Sequence, residues 1–158
     1  MVSVPLSVID ARSGDKERLR LWIRMLRTTR IVEAELRERL KRDFNSTLPR
    51  FDVMSALYRE SEGMLMSDLS RFLLVSNGNV TGIIDRLVAD GYVVRAKRDG
   101  DKRTSVVRLT PSGVEAFERM AAAHERWIAE LLGGVDTAEV HRLSEMLHAF
   151  RSNWEGEH

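Results

Sequence analysis

VSNGNVTGIIDRLVADGYVVRAKRDGDKRTSVVRLTPSG, residues 75–113, decides how the rest of this chain is read. Val80, Ile83, Ile84, Leu87 and Val88 fall at i, i+3, i+4, i+7 and i+8, the stripe of an amphipathic helix over Ser76–Asp90. Ser76 is placed to cap it and Gly91 to end it. Two β-rich runs follow, Tyr92–Arg95 and Thr104–Leu109, separated by a charged segment with Gly100 at its centre. This is the pattern of a β-hairpin with a polar tip. Thr110 and Pro111 then open another helix, a cap followed by proline at the first helical position.

Upstream, Ser67 starts a short helix reaching Leu74, with Leu69, Phe72 and Leu73 turned inward. A short helix, a tight link and a longer helix make a helix-turn-helix, whose second helix can lie in the major groove of DNA. With the apolar stripe buried, Asn77, Asn79, Thr81, Asp85 and Arg86 are left on the outer face. Asn pairs bidentately with adenine, and Thr hydrogen-bonds base edges or touches a thymine methyl. Ser76 and the free N–H groups of the first turn suit a phosphate. Between Tyr92 and Thr110 the basic residues Arg95, Lys97, Arg98, Lys102, Arg103 and Arg108 outnumber Asp99 and Asp101. A basic hairpin directly after such a helix is a wing, able to place arginine in a narrow minor groove and lysine on phosphates. Its two carboxylates brace arginines more readily than they approach phosphates.

The stretch LPRFDVMSALYRE, then SEGMLMSDLSRFLL and the segment quoted above through VEAF, resembles the MarR family of winged helix-turn-helix regulators. The resemblance rests on VSNGNVTGIIDRLVADGYV, on Asp101-Lys102-Arg103 at the wing tip and on VRLTPSG, and it covers roughly residues 18–152. It implies a mainly α fold with a small β-hairpin wing and an intertwined helical dimer. It also implies that Arg103 reaches the minor groove while Asp101 orients the wing. LPRFDVM and FERMAAAHERW are similar to a subgroup that regulates aromatic-acid breakdown.

Outward from this core, residues 1–15 lack periodicity and are expected to be a flexible arm. Residues 16–47 are expected to form a dimerisation helix, 48–110 the winged DNA-binding domain, and 111–158 further dimerisation helices. Leu19, Trp22, Ile23 and Leu26 stripe the first of these; Val140, Leu143, Leu147, Phe150 and Trp154, spaced 3, 4, 3 and 4, form a seam on the last. These large residues exceed what the small winged domain can cover, so a homodimer is expected. Two recognition helices one turn of DNA apart would then read a pseudo-palindrome with half-sites about 10 base pairs apart.

The net charge of +1 says little, but residues 1–110 hold 21 Lys/Arg against 15 Asp/Glu while residues 111–158 hold 4 against 9. That segregation suits double-stranded DNA at one end. The chain has no cysteine, which excludes disulfides and thiolate metal sites. No apolar run suits a membrane span, and a cytoplasmic location follows by elimination. No nucleotide-cradling glycine motif or nucleophile setting is present, so neither enzymatic activity nor a cofactor is expected. His141 and His148, seven apart with Glu145 between, read as surface residues rather than metal ligands. Trp22, Arg24, Met25, Arg27, Met54, His124 and Trp127 are the candidate lining of an effector slot, apolar with arginines nearby, suited to an aromatic carboxylate or an acyl-coenzyme A. The competing reading makes Trp22 and Trp127 dimer core. A second function class, a winged-helix module binding RNA or protein without reading DNA sequence, would place lysines where Asn77, Asn79 and Thr81 stand.

Overall fold

The computed structural model describes residues 6–73, 77–96 and 105–155. Its elements are α1 (Leu6–Phe44), α2 (Leu48–Tyr58), β1 (Met64–Leu65), α3 (Met66–Phe72), α4 (Asn77–Ala89), β2 (Val93–Ala96), β3 (Val106–Leu109), α5 (Pro111–Leu131) and α6 (Thr137–Glu155). They divide into two compact units, Met1–Ala121 and Ala122–His158.

The first unit is built on helix-end chemistry that the sequence spells out. At the end of α1, Asn45 takes a left-handed φ of 48°. Its N–H bonds the Lys41 carbonyl and the Ser46 N–H bonds that of Leu40, so the last turn is closed by the chain itself. Thr47 then caps α2, its Oγ1 accepting from the Arg50 N–H at 3.3 Å, with Pro49 harmless in the first turn. Gly91, at φ 79°, ends α4 in a Schellman motif: its N–H bonds Val88 and the Tyr92 N–H bonds Leu87. Thr110 joins that end to the start of α5. Its hydroxyl donates to the Gly91 carbonyl at 2.7 Å and accepts from the Gly113 N–H at 3.0 Å. Gly113 packs so tightly that a Cβ there would lie 2.0 Å from the Tyr92 carbonyl oxygen.

The core of this unit is Leu40, Val53, Met54, Leu57, Leu69, Val80, Ile84, Leu87, Val93 and Val107, each at most 2% exposed. Phe117 of α5 closes it, its ring 5.5 Å from Phe51 and 4.8 Å from Tyr58, whose hydroxyl donates to Glu118. In the second unit Ala123 and Trp127 are buried, and Asp136 caps α6 by accepting from the Glu139 N–H at 2.9 Å.

Several expectations are corrected. The helical backbone begins at Leu6, so residues 6–15 are helix rather than a loose arm; Gly14 weakens a helix without breaking it. The short helix starts at Met66, capped by no side chain, and Ser67 lies inside it. Phe72 and Val88, expected inside, are 57% and 41% exposed, because each stands at the edge of its stripe. The expected hairpin is joined by a further strand. β1 pairs with β3 through Met64↔Val107 and Leu65↔Val106, giving an antiparallel sheet ordered β1-β3-β2. A strand of two residues carries no alternation from which to read it.

Candidate nucleic-acid interface

α3 and α4 pack on each other and α4 also packs on α2, which fixes which side of α4 is free. Val80, Ile84 and Leu87 are fully buried, whereas Asn79, Thr81, Gly82, Asp85 and Arg86 are turned outward. Asn79, Gly82 and Arg86 stand at i, i+3 and i+7, one line along the helix, and Thr81 and Asp85 run beside it at i and i+4. Polar groups of the kind that can reach base edges thus share one exposed face. Asn77 opens α4. Ser76, Asp101 and the wing-tip cations Lys97, Arg98, Lys102 and Arg103 lie outside the described residues.

Gly82 is not legible as a site from sequence. A Cβ there would meet nothing within 4 Å, so packing does not demand a glycine. Within a helix glycine costs about 1 kcal/mol relative to alanine. Its remaining use is outward: a bare backbone at the middle of the Asn79–Arg86 line lets another surface come close.

Arg95 has a role within the fold that the sequence does not show. Expected on DNA, it lies on the same face of β2 as buried Val93, because strand side chains alternate. That face looks toward α4, and the guanidinium donates to Asp85 Oδ1 at 2.9 Å with the Arg95 side chain 22% exposed. Arg95 therefore braces the wing's first strand against the reading helix. Its Nε is buried without a partner. Arg50 does similar work at the other end of α4, where its Nη2 pairs with Asp90.

Of the residues expected to line an effector slot, Trp22, Arg24, Met25, Arg27 and Met54 belong to the first unit and His124 and Trp127 to the second. Met54, 1% exposed, is core of the winged unit in the single chain. Trp22 is 56% exposed, with Leu19, Leu21 and Ile23 beside it also exposed. Burial holds the His124 imidazole below its ordinary pKa. His141 pairs with Glu145 at 3.3 Å on the exposed surface of α6. Among the described residues no helix is long and apolar enough to cross a membrane.

Comparison with known proteins converges on one family. A family model described as MarR family matches residues 45–104, from just after α1 to just before β3. The chain is 35% identical over 123 residues to the transcriptional activatory protein BadR of Rhodopseudomonas palustris, covering 75% of this chain and 65% of BadR. It is 34% identical to the HTH-type transcriptional regulator YkoM of Bacillus subtilis, covering 74% of each. Among solved structures, a MarR family transcriptional regulator from Silicibacter pomeroyi superposes with a TM-score of 0.76 at 33% identity, covering 89% of this chain and 97% of that one. A mutant MarR from E. coli, complexed with operator DNA, superposes at 0.72 with 25% identity, covering 85% and 95%. The chain belongs to the MarR family of winged helix-turn-helix transcriptional regulators, which are DNA-binding proteins and not enzymes.

Proposed function

We propose that this chain acts as a homodimeric repressor that binds a pseudo-palindromic operator and is released by a small aromatic acid or its coenzyme A thioester. The observation that carries the DNA reading is the exposed line Asn79–Gly82–Arg86 on a helix whose opposite side, Val80, Ile84 and Leu87, is fully buried. Amide and hydroxyl groups at the front of that helix suit base edges better than bare electrostatic attraction does. In this reading Ser76, Asn77, Asn79 and Thr81 face the major groove. Lys97, Arg98, Lys102 and Arg103 follow the backbone and minor groove, with Asp101 holding Arg103 in place.

The dimer reading rests on apolar surface. Leu19, Trp22 and Ile23 on α1 and Leu143, Met146, Leu147 and Phe150 on α6 are all exposed in the single chain. Scattered exposed leucines need no explanation, but sets at helical spacing on two helices do. The effector reading rests on α1, where 10 Lys/Arg stand against 4 Asp/Glu between Lys16 and Arg42, with Trp22 and Met25 among them. An anionic aromatic ligand that prefers a dimer with misplaced reading helices would lower operator affinity.

A gel shift of a palindromic fragment under excess competitor DNA tests the first claim. Binding should fall when operator bases change and when Arg103 becomes Ala; indifference to base changes would leave an RNA- or protein-binding module instead. Melting-temperature shifts against aromatic acids and their coenzyme A thioesters test the effector. A reporter fused to the operator tests the sign of regulation.

A further inference from the structure

At the corner where α1 ends and α2 begins, a cleft of about 410 Å³ opens beside the reading helix. Its wall carries Arg37 and Lys41 of α1, Arg50 of α2 and Arg86 of α4, with Glu38 the single carboxylate among its lining residues. Like charges gathered in one hollow repel one another unless something negative joins them. The chain's own carboxylates do this only in part. Arg50 is taken by Asp90, and Arg37 reaches Glu33 at 3.5 Å on an exposed surface. Among the described residues Lys41 and Arg86 have no carboxylate partner.

The backbone adds to the same sign. The cleft includes Thr47, Leu48 and Pro49, the first turn of α2, where the helix dipole is positive. The opposing negative end of α1 is muted, because the Leu40 and Lys41 carbonyls already accept from Ser46 and Asn45. The volume falls in the range of small-molecule clefts, roughly 300–1,000 Å³; much of the lining is apolar, but its charged groups are cationic except for Glu38. That balance of charge selects an anion, and a multiply charged one best.

We infer that this α1–α2 corner is a phosphate-binding site, built by Lys41, Arg37 and Arg86 around the first turn of α2. It is separate from the effector slot proposed around Trp22. Two sources offer the phosphate. Arg86 shares the exposed line of Asn79, so a DNA backbone passing the reading helix would bring a flanking phosphate to the corner; that source rests on the operator reading above. A free phosphorylated compound is the other, and it does not.

Lys41→Gln and Arg37→Gln, both at exposed positions on α1, are made singly and together, with circular dichroism to confirm helix content. In the DNA arm, operator affinity is measured across a salt series. The double variant should bind about tenfold more weakly at fixed salt. Its slope of log Kobs against log[salt] should flatten by about 0.9 for each phosphate that each subunit no longer neutralises. In the second arm, inorganic pyrophosphate is added to DNA-free protein at constant ionic strength. A melting temperature raised in the wild type and unmoved in the double variant assigns the site to a free phosphate compound. A flattened slope without that rise assigns it to the DNA backbone. An unchanged slope together with no pyrophosphate response overturns the site. Should the wild type bind no operator at all, the regulator reading fails on its own, and the pyrophosphate arm alone decides this one.

Discussion

Replacing Gly82 with Ala separates what the recognition helix needs for folding from what it needs for DNA. The position is in the interior of α4, and an added Cβ would meet nothing within 4 Å. The methyl therefore creates no clash in the free protein, and helix propensity alone sets the change. Ala in place of an exposed helical Gly is worth about 1 kcal/mol, largely through a less flexible unfolded chain. For a chain of 158 residues, an unfolding entropy of about 2.1 cal/mol/K per residue turns this into a rise of about 3 °C in melting temperature. On DNA the sign reverses. Gly82 lies midway between Asn79 and Arg86, so on the proposed operator reading a methyl there stands where the duplex comes closest. An overpacked contact costs about 1–3 kcal/mol, and the proposed dimer would meet it once per half-site. Operator affinity should fall at least tenfold. Thermal melts by circular dichroism at matched protein concentration, and fluorescence anisotropy with labelled operator at fixed salt, read the two effects. A more stable protein with undiminished operator affinity would refute the claim that DNA approaches Gly82. A less stable one would refute the claim that the position is open.

Gly113→Ala should do the opposite, because its Cβ would stand 2.0 Å from the Tyr92 carbonyl oxygen; the chain should lose several degrees of melting temperature as the join between hairpin and α5 is forced apart. Asp52 is held above the usual carboxylate range, first by burial and then by Glu33. Its raised pKa means that the stability it leaves intact in acid is lost as pH rises through its folded value, so Asp52→Asn should raise the melting temperature at pH 7 and change little near pH 3. His124 is shifted the other way, below its ordinary 6.5, by burial. A lowered histidine pKa contributes stability that is present above pH 6.5 and lost as pH falls toward its folded value; His124→Gln should flatten that loss in melts recorded between about pH 7.5 and 5.

What is legible in the sequence follows from period and punctuation. The α4 stripe can be read because Val80, Ile84 and Leu87 repeat at helical spacing, and its end because Gly91 supplies the left-handed residue a Schellman motif needs. Thr110-Pro111 likewise marks the start of α5, and the structure adds that Thr110 Oγ1 bonds both ends of the junction. Signals of this kind are local, since each depends on residues within one or two turns. β1 escapes because two residues carry no period. Its place is decided by β3, a distant stretch of the chain. Residues 6–15 read as an arm because Gly14 and the lack of an apolar stripe argue against a helix standing alone, whereas here those residues continue a helix formed downstream.

The site itself is half legible, and the division has a physical cause. Residue types that suit DNA can be counted, but which of them face outward is a tertiary fact. Arg95 is indistinguishable in sequence from its neighbours in the basic wing. The strand's alternation puts it on the side of Val93, and there it meets Asp85. Counting basic residues therefore misses a brace. The corner at Lys41 shows the converse error. Arg37 and Lys41 are neighbours one turn apart on α1, but Arg50 and Arg86 stand on two other helices, and nothing local links these to the pair. Only the turn at Asn45 and the packing of α2 on α4 bring them to one cleft. A charge tally by segment finds that a part of the chain is basic. It cannot distinguish a cation already spent on a carboxylate from one still facing solvent, and that distinction separates the structural arginines of this domain from those left to meet a phosphate.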